Sequence, residues 1–517
     1  MSRLRVLLAG VLCVGVVRAQ APQPTPLPST PPPTRGKPAI SCSDLRGLTN
    51  FGISISTAVQ VAETSDVPGH CRVSGQVLPE VGFEVNLPVR WNGRLYMFGN
   101  GGYAGERFDT QSRIAIRTRA LKHGFASAAT DTGHSAATEP LASFARNRQK
   151  LLDYAYRSLH VTAETAKLLM GSYYGVPPTK SYFEGCSTGG RQGLILAQRF
   201  PADFDGIVVG APVLNFTATM VSYAVRAQAL KSAPIPASKL AFLAKQIYAQ
   251  CDAKDGLSDG VIDDPRRCQF DPERDLPRCE AGAERAECFT PGQISSLKAI
   301  YSDVLLQGKR IFPGWPVSAE AAGANGQSGW DPWIIHDGGP STSVSFAESF
   351  FQHMAFLKPA PDFDLGSFSM DRDAPQLESI HEILDATDAD LSAFEKRGGK
   401  ILMYYGWADP ALNPLMGVEY YERVSERMGA ATPGFFRLFM VPGMFHCGGG
   451  VGASVFDPFG PLVNWTEHGT APDAIKANRS AKGNVVRSRL LCAYPEVAKY
   501  KGSGSVDDAS SFSCVKP

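Results

Sequence analysis

Gly185-Cys186-Ser187-Thr188-Gly189 has the spacing G-x-S-x-G of a nucleophile elbow, in which a strand turns sharply into a helix and glycines relieve the crowding. The pattern alone is common in glycine-rich loops, so its surroundings decide its weight. Ser181-Tyr182-Phe183 ahead of it reads as a short strand, Pro177-Pro178 closes the preceding helix at 161–173, and another helix is expected from about Gly190. Strand, turn and helix are thus in the required order.

The same alternation extends outward. Phe83-Glu84-Val85-Asn86-Leu87 and Arg94-Leu95-Tyr96-Met97-Phe98 read as strands, followed by the turn Gly99-Asn100-Gly101-Gly102. Ile207-Val208-Val209 reads as a buried parallel strand. The rhythm stops after about Asn215 and resumes at residues 400–405 and 436–441. This is the pattern of an α/β-hydrolase doubly wound sheet with an inserted lid domain. The expected division is a catalytic domain of residues 41–215 and 398–517 with a lid of residues 216–397. The lid carries Trp315, Trp330, Trp333, Phe346, Phe350 and Phe351. No internal repeat is visible.

Lys plus Arg (51) nearly balance Asp plus Glu (50), which argues against a nucleic-acid partner or a polybasic membrane surface and favours a small neutral substrate. Residues 1–19 open with Arg3 and Arg5 ahead of an apolar run from Val6 to Val17, as a signal peptide does, with cleavage expected after Ala19. A lipoprotein reading at Cys13 fits less well. The run is too short to span a bilayer, no later segment looks transmembrane, and residues 20–40 form a proline-rich linker. The mature chain is expected to be secreted, extracellular or periplasmic.

Removal of the signal leaves ten cysteines, an even number that suits disulfides in an exported chain. Spacing favours Cys42 with Cys71, Cys251 with Cys268, Cys279 with Cys288 and Cys492 with Cys514, although sequence alone does not fix connectivity. Cys186 and Cys447 are left over.

In this fold an acid and then a histidine follow the serine along the chain. His446 lies in a loop after the 436–441 strand, whereas His468 has no strand before it. Asp409 leaves the end of the 400–405 strand in Gly406-Trp407-Ala408-Asp409-Pro410; Asp385, Asp388 and Asp390 are rivals that precede that strand. Ser187 would attack an ester carbonyl, His446 would take its proton and Asp409 would orient the imidazole. The oxyanion donors are expected to be the N–H groups of Thr188 and Gly102, with Gly101 close behind. Cys186 adjoins Ser187 and Cys447 adjoins His446, so contact between serine and histidine would bring the two cysteines within bonding reach. Such a bond would close a loop of roughly 260 residues and stabilise on the order of 4 to 5 kcal/mol.

These residues resemble the tannase/feruloyl esterase family, whose signature is a Cys-Ser pair, an Asp and a His-Cys pair joined by that disulfide. Cys186-Ser187, Asp409 and His446-Cys447 match it, and the likeness runs from about Ser41 to Cys514. The family also includes mono(2-hydroxyethyl) terephthalate hydrolase, of which the chain looks like a relative. The resemblance implies a structural calcium ion (Ca2+) in the lid, held by the side chains of Asp252, Asp255 and Asp259 and the carbonyls of Leu257 and Val261. Hard oxygen donors of this kind suit calcium, but the spacing is not that of an EF-hand, and a solvated acidic turn reads equally well from spacing.

By the same resemblance Trp333 and Phe346 fall where the family contacts the aromatic ring of its substrate, and Leu412, expected as a third substrate contact, stands where the terephthalate-monoester hydrolase carries a phenylalanine. The terephthalate-monoester hydrolase uses a lid arginine for the free carboxylate, and residues 340–354 here hold neither Arg nor Lys. An unpaired buried carboxylate is costly, so a hydroxycinnamate such as ferulate, or a gallate, is the expected acyl group, with the terephthalate monoester as alternative. Two readings from other classes are a non-catalytic binding protein of the same fold and a calcium-dependent carbohydrate-binding module. The first would normally lack one of the three catalytic groups, all of which are kept here, and the second would not require the paired Cys-Ser and His-Cys arrangement.

Overall fold

The computed structural model describes residues 36–280 and 283–517. The signal-peptide reading and most of the proline-rich linker lie outside the described residues.

Nine strands form one mixed sheet: β1 (Ile53–Val61), β2 (His70–Val77), β3 (Val81–Pro88), β4 (Arg94–Phe98), β5 (Ala126–Thr130), β6 (Lys180–Cys186), β7 (Gly206–Gly210), β8 (Lys400–Gly406) and β9 (Phe436–Val441). Their spatial order is β1-β2-β3-β5-β4-β6-β7-β8-β9. The first three strands and β5 pair antiparallel, and β5 onward is parallel.

Parallel strands covered on both faces must be apolar on both faces. Leu95, Met97, Ile207, Val209, Ile401 and Met403 enter one hydrophobic cluster, while Tyr96, Phe98, Val208, Leu402 and Phe439 enter the other. The alternation is the period of two that a strand imposes. On the second face the helix Phe459–His468 and the C-terminal hairpin Ala474–Ala481 with Asn484–Cys492 complete the cover.

Four helices position the site: α1 (Ser158–Tyr174), α2 (Thr188–Arg199), α3 (Phe216–Ser232) and α4 (Thr342–His353). α1 stops at Gly175, which adopts a left-handed φ of 73°, ahead of Pro177. α3 opens the long segment between β7 and β8, with Asn215 accepting from Ala218 N–H at its N-terminus. Phe216, Trp315, Trp330, Phe350 and Phe351 from that segment share one core with the sheet residues beneath. α4 is fastened to the sheet side, because Ser349 Oγ accepts from Ala142 N–H (3.0 Å) and Tyr103 Oη donates to the Phe346 carbonyl (3.2 Å).

Candidate active site

The chain leaves β6 at Cys186 and enters α2 at Thr188, so a single residue makes the turn. That residue is Ser187, with φ 64° and ψ −123°. A side chain other than glycine is strained there. The turn closes because nothing bulky flanks it: a Cβ on Gly185 would sit 2.5 Å from the Gly189 backbone. Ser187 N–H donates to Gly210 O (3.0 Å), fixing the elbow to β7. Thr188 begins α2, where N–H groups have no partner within the helix and the helix dipole favours negative charge.

β8 and β9 deliver Asp409 and His446. Trp407 N–H donates to Val441 O (3.0 Å) and Ala408 N–H to Met444 O (3.1 Å), which ties the two loops together. Asp409 is 1% exposed. Its Oδ1 accepts from Ala411 N–H (2.8 Å) and Leu412 N–H (2.9 Å), and its Oδ2 lies 2.8 Å from His446 Nδ1. A carboxylate only accepts, so Nδ1 carries the proton and Nε2 is left with a lone pair. Trp315 Nε1 donates to the Asp409 carbonyl (3.0 Å), bracing the acid from the lid.

Among the rival acids, Asp385 is engaged elsewhere. It accepts from Thr217 N–H (3.0 Å), Thr217 Oγ1 (2.8 Å) and His381 Nδ1 (2.7 Å), capping α3. Asp390 pairs with Arg427 (2.7 Å).

Five disulfides are present: Cys42–Cys71, Cys186–Cys447, Cys251–Cys268, Cys279–Cys288 and Cys492–Cys514. Cys186 and Cys447 have Cα atoms 6.0 Å apart, which holds the residue before Ser187 against the residue after His446.

The lid supplies an aromatic wall. The Trp333 ring stands edge-on to the His446 ring, 5.6 Å between centroids. Phe346 packs on the Tyr103 ring (4.9 Å) and reaches within 3.4 Å of where a Cβ on Gly102 would lie. Gly102 has φ +51°, so glycine suits it twice over: the conformation is left-handed and the space belongs to Phe346. Leu412 is buried and reaches the site through its N–H on Asp409. Several groups around the site carry no sequence signal of their own, among them Tyr154, Glu106 and Arg113; Arg191 and Gln192 follow the elbow motif after one intervening residue, and that position is the one cue available.

The acidic loop runs between Cys251 and Cys268. Asp252 accepts from Gly260 N–H (3.0 Å), Asp255 from Leu257 N–H (2.8 Å) and Asp259 from Val261 N–H (3.1 Å). Asp259 also pairs with Arg489 of the C-terminal hairpin. Among the described residues no three His, Cys, Asp or Glu side chains converge closely enough to hold a metal ion. The loop nevertheless holds surplus negative charge: burial, then Asp255 and Asp259, push the Asp263 carboxyl up to about 8. Burial likewise raises Asp255, with Asp259 and Asp252 adding to it. Hard oxygen donors of this kind suit calcium chemically, although their side chains do not converge on one point here.

Comparison with known proteins follows the same lines. The family model for tannase and feruloyl esterase matches residues 65–515. Mono(2-hydroxyethyl) terephthalate hydrolase of Piscinibacter sakaiensis is 34% identical, over 89% of this chain and 87% of its own. A probable feruloyl esterase of Arthroderma benhamiae is 33% identical, over 89% and 87%. The crystal structure of feruloyl esterase B from Aspergillus oryzae superposes with a TM-score of 0.79 at 28% identity, covering 92% of this chain and 99% of that one. A tannin acyl hydrolase from Aspergillus niger shares the fold, with a TM-score of 0.70 at 21% identity and coverage of 92% and 95%.

Proposed function

The chain belongs to the tannase and feruloyl esterase family and is a carboxylic ester hydrolase, and from that premise we propose that it is an exported serine esterase cleaving hydroxycinnamate or gallate esters. The observation that carries the mechanism is the His446 Nδ1 to Asp409 Oδ2 contact of 2.8 Å, on a loop disulfide-bonded to the residue before Ser187. His446 Nε2 takes the Ser187 proton as Oγ attacks the ester carbonyl. Asp409 holds the ring and stabilises the imidazolium. Thr188 and Gly102 N–H groups receive the oxyanion. His446 returns the proton to the departing alcohol, and the acyl group stays on Ser187 until a water, deprotonated by the same nitrogen, releases the acid.

The acyl ring rests against Trp333 and Phe346. α4 holds no Arg or Lys to meet a free carboxylate, which favours phenolic acyl groups over the terephthalate monoester. The 34% identical terephthalate-monoester hydrolase supports the second reading. Initial rates of the purified protein on methyl ferulate, methyl gallate and mono(2-hydroxyethyl) terephthalate decide between them. The expected order puts a phenolic ester at least about tenfold ahead in kcat/KM, the loss of one desolvated charge partner being worth more than 1.4 kcal/mol. A faster terephthalate monoester overturns the uncharged-pocket argument.

Calcium, when bound, would take the carboxylates of Asp252, Asp255 and Asp259 with the carbonyls of Leu257 and Val261. It would neutralise the loop and leave the chemistry to Ser187. EDTA is therefore expected to lower Tm, and Asp255→Ala to lower it without a further effect of EDTA, with kcat/KM at 25 °C nearly unchanged. A Tm indifferent to EDTA and to added calcium removes the ion from the account. Export is supported by the five disulfides, which persist in oxidising compartments. Among the described residues no helix is long and apolar enough to cross a membrane.

A further inference from the structure

Backbone bookkeeping over the turn after β4 leaves few free groups. Gly99 N–H donates to Glu184 O (2.9 Å), Ala104 N–H to Gly101 O (2.9 Å) and Gly105 N–H to Asp131 O (3.1 Å). Asn100 N–H goes to Gln192 Oε1 (2.9 Å) and Gly101 N–H to Glu106 Oε2 (3.3 Å). Among the described residues the N–H groups of Gly102 and Tyr103 have no such acceptor. The carbonyls are held too. Arg113 donates to Gly99 O (2.7 Å) and His134 Nε2 to Tyr103 O (3.0 Å). Gly102 O receives two hydroxyls, from Thr188 Oγ1 and from Tyr154 Oη at 3.1 Å.

Each peptide unit is planar, so a bond to its oxygen aims its N–H the opposite way. Ala104 pins the plane before the Gly102 Cα, which contains the Gly102 N–H. The two hydroxyls pin the plane after it. Gly102 is therefore immobilised on both sides in a left-handed conformation that a free glycine would leave readily.

Tyr154 reaches Gly102 because the chain ahead of α1 contains a π-turn, Asp153–Arg157. A π-turn widens the helix by one residue and leaves carbonyls short of partners, a feature that recurs at functional sites. Arg191, 0% exposed, takes those carbonyls: Nη1 donates to Ala155 O (3.0 Å) and Nη2 to Tyr154 O (3.3 Å). Its guanidinium also lies 5.1 Å over the Tyr154 ring. Arg191 belongs to α2, and its N–H donates to Ser187 O (3.1 Å). A closed circuit runs from Ser187 through Arg191 and Tyr154 to Gly102.

We propose that Tyr154 is a positioning residue for ester hydrolysis: its hydroxyl, held by the Arg191-braced π-turn, fixes the Gly102 carbonyl and with it the oxyanion donor of the adjoining peptide. The inference rests on the Ser187 and Gly102 reading above. It acts when negative charge develops on the substrate oxygen and contributes little to binding the uncharged ester, so it belongs in kcat rather than KM.

The test compares wild type, Tyr154→Phe and Ser187→Ala, using the best of the three esters together with phenylboronic acid, which adds to a serine hydroxyl to give a tetrahedral anion. Phenylalanine keeps the ring that packs on Arg191 and removes only the hydroxyl. The expected result for Tyr154→Phe is a kcat lower by about tenfold to a hundredfold, somewhat less than removal of a donor outright. KM and Tm stay close to wild type, and the boronate inhibition constant rises by a factor similar to the fall in kcat. Equal kcat and equal boronate affinity in wild type and Tyr154→Phe overturn the inference alone. So does a fall in kcat accompanied by a large fall in Tm and unchanged boronate affinity, which marks a merely structural residue. Wild type indifferent to boronate, with Ser187→Ala still turning over, overturns the underlying serine reading instead.

Discussion

Ser187→Ala is expected to lower kcat on the preferred ester by about 10⁴- to 10⁶-fold while leaving KM within a few-fold of wild type. The size follows from what the residue does alone. It is the one position where the chain passes from β6 to α2, its φ of 64° is strained, and its neighbours Gly185 and Gly189 leave no room for an alternative turn. Alanine meets no more strain there than serine does, so the fold is expected to stay and only the hydroxyl to go. The oxyanion donors remain and account for a small residual rate. Steady-state kinetics on purified wild type and variant, with circular dichroism to show equal folding, check it. A variant retaining more than about a hundredth of the wild-type kcat contradicts the assignment, because such a loss is the size of one misplaced group rather than of an absent nucleophile.

The second large effect is expected from Cys186→Ala with Cys447→Ala. That bond closes a loop with a sequence separation of 261. In the chain-entropy model, closing so long a loop stabilises by about 5 kcal/mol, which for a chain of this size translates into a Tm lower by about 5 °C. Activity should fall as well, roughly a hundredfold, because Cys447 holds a left-handed φ of 61° directly after His446 and the bond is what keeps that loop against the elbow. Cys492→Ala with Cys514→Ala serves as comparison. That pair lies in the C-terminal region with a separation of 22, and its loss should lower Tm while kcat/KM stays near wild type. Equal losses of kcat/KM in both double variants would mean that the disulfides act only through global stability. Scanning calorimetry and ester kinetics at 25 °C separate the two effects.

Most of the parallel strands were legible because they are buried on both faces, whereas β5 (Ala126–Thr130) is built of alanine, serine and threonine and carries no large apolar run to read. Ile207-Val208-Val209 sits within Gly206–Gly210, and the helix expected from about Gly190 begins two residues earlier, at Thr188. The β1–β2 hairpin at the sheet edge was not legible. Ile53–Val61 is half exposed, and serine, threonine and glutamine interrupt its apolar positions, so it carries no buried run to read. The π-turn was invisible for a different reason: Asp153–Arg157 continues into α1 without proline or glycine, and one extra residue per turn leaves the apolar pattern nearly helical. The choice of acid illustrates the same limit. Asp385 and Asp409 both lie near a histidine in space, yet His381 is four residues from Asp385 on a local turn, while His446 comes to Asp409 from an adjacent strand. Strand order is a statement about tertiary structure, and the sequence carries it only through the chain order of serine, acid and histidine.

The most direct test of the account is to quench the protein with an aryl fluorophosphonate, which phosphonylates an activated serine, and to locate the adduct by peptide mass spectrometry. A single adduct on Ser187 is expected, formed with loss of all esterase activity, slowed by more than a hundredfold in His446→Ala and competed by the preferred ester. An adduct on another residue, or full activity after stoichiometric labelling of Ser187, would contradict it.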